Sequence, residues 1–320
     1  MRRLALLFFL AVCLAAGVAG WGWHEYSRPG PLDESTTVFI EQGSGARAIS
    51  HALAEAGVVR ERLAFLAAVR IRDDHGRLRA GEYIFPAHAS LRSVIDKLVA
   101  GDTIVRRLTI AEGLTAREAL AAIERADGLV GPVPPVEEGT LLPDTYHYSR
   151  GDSRAELVER MQRAMATTVE RLWAARPPDL PLATPSELVT LASIVEKETG
   201  VAEERSRVAA VFINRLRKGM PLQSDPTVVY ALERDGTALD RPLLRSDLAF
   251  DSPYNTYGNG GLPPGPIANP GLASLEAVIR PVESDELYFV ADGSGGHAFA
   301  RTLAEHNRNV RRWRQIRQKK

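Results

Sequence analysis

Two glutamates, Glu196 and Glu198, close a mostly apolar stretch that runs Leu191-Ala-Ser-Ile-Val-Glu-Lys-Glu-Thr-Gly200. The carbonyl end of a helix already carries partial negative charge, so carboxylates there are destabilised unless solvent or function compensates. A carboxyl group that burial and such a dipole hold in its neutral form is suited to general acid work. On a helical wheel the apolar stripe is set by Leu188, Leu191, Ala192 and Val195, and Glu198 lies beside it. Ile194 extends the apolar side towards Glu198, Lys197 points the opposite way, and Glu196 occupies the other flank with Val189. Glu198 is therefore the carboxyl group expected to meet the interior or a cleft. The competing reading is a solvated helix end in which Glu196, Lys197 and Glu198 all face water.

Residues two apart on a helix point to nearly opposite sides, so this pair is badly placed to flank one glycosidic bond as ordinary glycosidase carboxylates do. A second carboxylate would come from elsewhere, with Asp225, Asp144 and Glu204 as candidates, each of a type that also serves turns, caps and surfaces. Alternatively the substrate supplies the missing group. Two polar segments, Gln223-Ser-Asp-Pro-Thr227 and Tyr254-Asn-Thr-Tyr257, carry amides, hydroxyls and aromatic rings that suit a sugar. Gln223, Ser224, Asp225, Tyr254 and Asn255 are accordingly the candidate substrate-binding residues, although turn chemistry accounts for the same residue types. The seven histidines show no metal-ligand spacing. Gly258-Asn-Gly-Gly261 lacks the strand–glycine–helix context of a nucleotide loop, and no nucleophile elbow is present. No metal and no organic cofactor are implied.

The elements that must position these residues can be read from patterning. Thr184-Pro-Ser-Glu187 is a helix start, with Thr184 as N-cap, Pro185 in the first turn and Glu187 three residues on; Gly200 is the expected stop. A helix from about Glu203 to Lys218 makes a hairpin with it. Helix 154–175 precedes the pair, and Ser274 is expected to cap a short helix over 275–279. Met220 to Pro226, Asp251 to Asn259 and Gly261 to Gly271 read as loops, followed by strands at 287–290 and 297–300 and a last helix from about Thr302. Upstream, strand 36–41, helices 46–56 and 61–71, strand 81–85 and helix 91–99 form a small strand–helix–helix–strand unit. Strand 103–110 and helix 116–126 follow, and Glu138 to Tyr148 reads as an irregular approach to the larger domain. The fold class is α+β.

Forty basic residues balance forty acidic ones, which removes the electrostatic argument for nucleic acid. Arg2 and Arg3 precede an uncharged apolar run from Leu4 to Trp23, about the length that spans a bilayer as a helix. Trp21, Trp23 and Tyr26 cluster at its far end, where an aromatic belt would lie. The run exceeds a usual signal-peptide core, so it is read as an uncleaved single-pass anchor, the alternative being a cleaved signal with Gly17-Val18-Ala19 as its site. Both readings export the rest of the chain. Cys13, the only cysteine, lies inside the run, so the exported part has neither disulfide nor thiolate. The expected organisation is a cytoplasmic N-terminus 1–3, anchor 4–23, linker 24–35, small module 36–102, connecting strand–helix segment 103–137 and catalytic domain 138–320.

Motifs in order carry a family resemblance. Ala192-Ser-Ile-Val-Glu-Lys-Glu-Thr199, Val211-Phe-Ile-Asn-Arg-Leu216, Leu222-Gln-Ser-Asp-Pro-Thr-Val228, Tyr254-Asn-Thr-Tyr257, Gly261-Leu-Pro-Pro-Gly265, Tyr288-Phe-Val-Ala-Asp-Gly293 and Gly296-His-Ala-Phe299 occur here, with Ala80-Gly-Glu-Tyr83, Glu138-Gly and Leu142-Pro-Asp-Thr-Tyr146 upstream. Together they resemble the membrane-anchored endolytic murein transglycosylases of bacteria, the YceG-like family, over essentially the whole chain. The resemblance implies a periplasm-facing lyase of the inner membrane. It would cut nascent peptidoglycan between N-acetylmuramic acid and N-acetylglucosamine without water and leave 1,6-anhydromuramyl ends. It further implies Glu198 as the catalytic glutamate, a LysM-like N-terminal module, glycan strands as substrate and peptidoglycan synthases as candidate partners. Thr140 and Leu141 stand where the family often has aromatics. A water-using muramidase with Asp225 as base and a non-catalytic peptidoglycan-binding scaffold are the rival readings.

Overall fold

The structure, a computed structural model, describes residues 2–234, 236 and 238–318, without the side chains of residues 2–8, 11 and 15. The chain divides into two compact units. The first comprises residues 1–107, 127–130 and 147–153, and the second comprises 108–126, 131–146 and 154–320.

The first unit begins with helix α1 (Arg2–Ser27), followed by β1 (Thr36–Ile40), α2 (Ala46–Glu55), α3 (Arg62–Ile71), β2 (Gly81–Phe85) and α4 (Leu91–Ala100). β1 and β2 pair antiparallel, from Thr36 opposite Phe85 to Ile40 opposite Gly81. Alternation along the strands turns Val38, Ile40, Tyr83 and Phe85 inward, where they pack with Leu53 and Phe65 of the two helices. Ser90 caps α4 by accepting the Ser93 N–H at 3.2 Å. The strand–helix–helix–strand order expected for this stretch is the one observed. Among the described residues no helix is long and apolar enough to cross a membrane. The apolar run at 4–23 lies within α1 and exposes Phe9, Leu14, Val18, Trp21 and Trp23. Part of that expected span falls outside the described side chains.

The second unit holds most of the remaining helices. β3 (Arg106–Thr109) and β4 (Thr145–Tyr148) form a two-stranded ladder, with α5 (Ala116–Glu124) between them in sequence. The approach read as irregular over 138–148 thus ends in a strand. Then come α6 (Arg154–Ala174), α7 (Pro185–Glu198), a short 3-10 turn (Ala202–Glu204), α8 (Arg205–Arg217), α9 (Asp225–Glu233), α10 (Leu272–Ile279), the hairpin β5 (Tyr288–Ala291) and β6 (His297–Ala300), and α11 (Leu303–Gln318). α7 is the centre of the unit and packs against α6, α8, α9 and α10. Every residue from Leu188 to Val195 is buried, so the helix has no solvent face along this stretch. A one-sided wheel understates it.

Three local expectations are corrected. α7 does not end on a left-handed glycine: Thr199 is extended (φ −140°, ψ 129°) and stops the helix ahead of Gly200. Gln223 to Thr227 is not wholly loop, because Ser224-Asp-Pro opens α9 with the proline in its first turn. Ser274 does not cap its helix. α10 begins at Leu272 behind Gly271, and Ser274 lies inside it with its hydroxyl donated to Glu196 of α7.

Candidate active site

The two glutamates at the end of α7 have separate environments. Glu196 reaches the N-terminus of α10, where its Oε2 accepts the Gly271 N–H at 3.0 Å and the Ser274 hydroxyl at 2.7 Å. Arg205 lies 3.7 Å from its other oxygen, and the Glu196 side chain is only 7% exposed. It is a helix cap supplied from another helix, satisfying one backbone N–H and meeting the positive end of the dipole. Lys197 donates to the Gly113 carbonyl at 3.2 Å.

Glu198 turns the other way. Its Oε1 accepts a 2.6 Å hydrogen bond from Ser224 Oγ. Ser224 is the N-cap of α9, but its side chain makes no capping bond, since the hydroxyl is directed at the glutamate. The residue keeps part of its surface exposed while its carboxyl group is enclosed by protein. Burial pushes that carboxyl up to about 7; the Ser224 hydrogen bond, His297 and Arg215 oppose the rise, and Asp225 adds to it. Near neutral pH the group is poised between acid and base, the condition for donating and recovering a proton.

Ser224 is held from behind. Its N–H donates to Thr256 Oγ1 at 3.0 Å, its carbonyl accepts from Thr227 Oγ1 at 2.6 Å, and the two threonine hydroxyls are 2.9 Å apart. Gln223, preceding it, takes a left-handed backbone (φ 52°) with its side chain exposed, and its N–H donates to the Thr256 carbonyl. Asp225 is exposed and accepts the Tyr257 hydroxyl at 2.6 Å. Burial first, then that bond to Asp225, holds the Tyr257 phenol well above its usual range. Asn255 is buried, and both its amide hydrogens are committed to the Leu248 and Phe250 carbonyls while its oxygen accepts the Tyr257 N–H. It shapes the loop that carries its neighbours.

Tyr254 lies on a separate cavity of about 480 Å³, lined also by Glu138, Thr140, Ser186, Tyr230 and Arg234. The Tyr230 and Tyr254 rings are 5.0 Å apart, and the Arg234 guanidinium sits 5.0 Å over the Tyr254 ring. Glu138 accepts the Ala116 N–H at 2.7 Å, and burial holds its carboxyl above the usual range. Gly139 permits this corner: its φ is +76°, and a Cβ there would lie 2.5 Å from Pro266. α9 joins the two places, with Ser224 at its start beside Glu198 and Tyr230 and Arg234 near its end on the cavity.

The structure thus brings Glu198, Ser224 and Asp225 together, with Gln223 adjoining and Tyr254 at the cavity. Asp144 is exposed, and its carboxylate accepts the next residue's N–H, as a turn residue does. Sequence reasoning missed Arg215 and His297. Arg215 is buried in α8, donates to the carbonyls of Leu287 (2.7 Å) and Leu222 (2.8 Å), and stacks on Tyr288. Burial lowers its pKa, and its charge still acts on Glu198. Its sequence signals were its place in the Val211–Leu216 motif and a position that helix periodicity turns inward.

A family model described as the YceG-like family matches residues 38–312. The chain is similar to an endolytic murein transglycosylase of Bacillus subtilis (strain 168), at 34% identity covering 88% of this chain and 86% of that one. It is also similar to an endolytic murein transglycosylase of Streptococcus pneumoniae serotype 2, at 31% identity covering 96% of this chain and 64% of that longer one. Among solved structures it resembles a YceG-like protein of Listeria monocytogenes, with a TM-score of 0.52 and 30% identity, covering 86% of this chain and 99% of that one.

Proposed function

Because this chain belongs to the YceG-like family, we propose that Glu198 is its general acid and base in the cleavage of peptidoglycan glycan strands. The chain is a lytic transglycosylase, a lyase that cuts the β-1,4 bond between N-acetylmuramic acid and N-acetylglucosamine endolytically and so limits strand length. The observation that carries the role of Glu198 is its enclosed carboxyl, pushed up to about 7 and hydrogen-bonded to Ser224 at 2.6 Å.

In the first half of the reaction Glu198 gives its proton to the bridging oxygen as the bond from the anomeric carbon breaks. The muramyl acetamido group supports the electron-poor carbon in between, as in substrate-assisted glycosidases. In the second half the muramyl 6-hydroxyl attacks the anomeric carbon and returns its proton to Glu198. One carbon–oxygen bond breaks, one forms, one proton passes through one carboxyl group, and no water is consumed. A second carboxylate is unnecessary. Ser224 orients Glu198; Gln223 and Asp225 meet the sugar at the exposed start of α9; Asn255 shapes the loop; and the Tyr254 cavity seats the strand at the far end of α9.

The first unit serves as a LysM-like glycan-holding module, supported by its β1-α2-α3-β2 order. α1 is the membrane anchor of an inner-membrane, periplasm-facing enzyme, supported by its exposed apolar side chains and by Arg2 and Arg3 ahead of them. Peptidoglycan synthases are the expected neighbours of such an anchored enzyme. The test is mass spectrometry of the products from purified glycan strands. Anhydro ends from wild type and no cleavage by a folded Glu198→Gln variant are expected. Ends heavier by one water would instead make the enzyme a hydrolase with Asp225 as base. A fully active Glu198→Gln would remove Glu198 from the chemistry.

A further inference from the structure

In the second half of the reaction two nucleophiles compete, and the muramyl 6-hydroxyl must prevail over water. Water succeeds where a carboxylate can take its proton, as the second carboxylate of an ordinary inverting glycosidase does. The glutamates near Glu198 in sequence are already engaged. Glu196 serves the start of α10. Glu204 grips His297 with both oxygens: Oε1 accepts the backbone N–H at 2.9 Å, and Oε2 lies 2.7 Å from Nδ1. Asp225 is the carboxylate left at the site. It directly follows Ser224, whose hydroxyl is bonded to Glu198, and it is exposed.

The fold does not leave Asp225 loose. Residues Gln223 to Thr227 are zipped to the loop Tyr254 to Tyr257. The Gln223 N–H donates to the Thr256 carbonyl at 3.1 Å, the Ser224 N–H to Thr256 Oγ1 at 3.0 Å, and the Thr256 N–H to Thr227 Oγ1 at 3.4 Å. Those bonds bring the next loop residue, Tyr257, against Asp225, and its hydroxyl donates to Asp225 Oδ1 at 2.6 Å. The tyrosine is anchored at its backbone as well: its N–H donates to Asn255 Oδ1 at 2.9 Å, and Asn255 is tied to the Leu248 and Phe250 carbonyls. The half-buried phenol is held well above its usual range, first by burial and then by the bond to Asp225, so it remains a donor. From acid to tyrosine the path is unbroken. Glu198 is hydrogen-bonded to Ser224, Ser224 is joined to Asp225 by a peptide bond, and Asp225 is hydrogen-bonded to Tyr257.

A general base must turn a lone pair onto the proton it takes. A carboxylate with one oxygen engaged at 2.6 Å has fewer lone pairs to offer and a fixed side-chain rotamer, and hydrogen bonds to a carboxylate are the strong ones. We propose that Tyr257 keeps the reaction non-hydrolytic: by holding Asp225 it denies water a base, and the muramyl 6-hydroxyl takes the anomeric carbon. Tyr257 acts through Asp225 and touches no reacting atom, so it is a positioning residue that sets the outcome of the reaction. Releasing Asp225 opens the alternative. The oxygen of water then bonds to the anomeric carbon, its proton passes to Asp225, and exchange with solvent returns a proton to Glu198. The inference rests on Glu198 being the acid.

The experiment uses the full chain and glycan strands whose original reducing ends have been reduced with borohydride. Mass spectrometry then counts new anhydro ends and new ends heavier by one water. Wild type, Tyr257→Phe, the double variant Tyr257→Phe/Asp225→Asn and Glu198→Gln are compared, with the melting temperature of each. A general base supplies about 10²–10⁴-fold, so the hydrolytic share of new ends is expected to rise about tenfold or more in Tyr257→Phe. In the double variant it returns to the wild-type share. A merely structural loss lowers rate and melting temperature and leaves the ratio of products where it was. A Tyr257→Phe product ratio equal to that of wild type, with anhydro ends from both, therefore overturns this inference and spares the role of Glu198. A hydrolytic share that persists in the double variant also overturns it, since Asp225 is then not the base. Should Tyr257→Phe fail to fold, Tyr257→Leu removes the same hydroxyl and is read in the same way. Hydrolytic ends from wild type overturn the non-hydrolytic reading and this inference with it, and an active Glu198→Gln overturns the role of the acid.

Discussion

Glu196 and Glu198 are two residues apart on one helix, and replacing them is expected to give opposite phenotypes. Glu196→Ala removes the acceptor for the Gly271 N–H and for the buried Ser274 hydroxyl, and it leaves Arg205 without that partner. A hydrogen bond to a charged group contributes about 1.5–3 kcal/mol, and two that share one carboxylate are not additive, so a loss of about 3–4 kcal/mol is expected. For a folded unit of this size each kcal/mol corresponds to about 2–4 °C, which places the melting point about 10 °C lower. Strand cleavage per folded molecule, measured well below the transition, stays within a few-fold of wild type. Glu198→Gln does the reverse: it keeps the Ser224 contact, melts no lower than wild type at pH 8, and loses cleavage at least about a hundredfold. Calorimetry and a strand-cleavage assay on the same preparations decide it. A Glu196→Ala protein that melts like wild type yet has lost cleavage would refute the division of labour between the two glutamates.

The other expectations concern the same site. Glu198 titrates at about 7 in the fold and near 4.5 when unfolded, so its contribution is fully present below about pH 4.5 and is lost as pH rises through 7. The difference is of order 3 kcal/mol, and a pH series of denaturant midpoints should show that slope in wild type and not in Glu198→Gln. Ser224→Ala removes a hydrogen bond that favours the carboxylate, so the alkaline limb of the rate profile should move up by about one unit; a downward move would contradict the assignment. Arg234→Ala, at the exposed end of α9 on the cavity, should raise KM for long strands several-fold and leave kcat nearly unchanged if the strand is seated there.

What could be read from sequence divides by the range of the interaction. Thr184 followed by Pro185 marked the start of α7 correctly, because a cap and a first-turn proline act within four residues: Thr184 Oγ1 accepts the Glu187 N–H at 3.2 Å. The same signal stands at Ser224-Asp-Pro, where polar composition reads as a loop although α9 begins there. There the serine hydroxyl faces Glu198 and not its own helix, which mixes a cap signal with a site signal. Ser274 looked like a cap by type, but the group serving the start of α10 is Glu196, 75 residues upstream of Gly271. Local pattern does not contain such a partner. Periodicity turns Glu198 inward, as observed, but it places Glu196 only on the other flank and gives no sign that both glutamates are engaged. Glu204 drew notice only as a spare carboxylate, and His297 only within a motif; their pairing spans 93 residues.

The end of α7 is a point where three parts of the chain must already have met. Glu198 is completed by Ser224, 26 residues on; Glu196 is satisfied by residues 75 and 78 further on; and Glu204 is clasped to His297 across 93. None of these closures is local, and each costs chain entropy before it is rewarded. A chain ending short of the β5–β6 hairpin has the acid without its surroundings, and one ending before α9 has a glutamate with an ordinary carboxyl group. The surroundings of Glu198 are therefore complete only when Ser224, Gly271, Ser274 and His297 have all closed on this part of the chain. For an enzyme whose substrate encloses the cell, a site that exists only once distant segments have closed together is itself a safeguard.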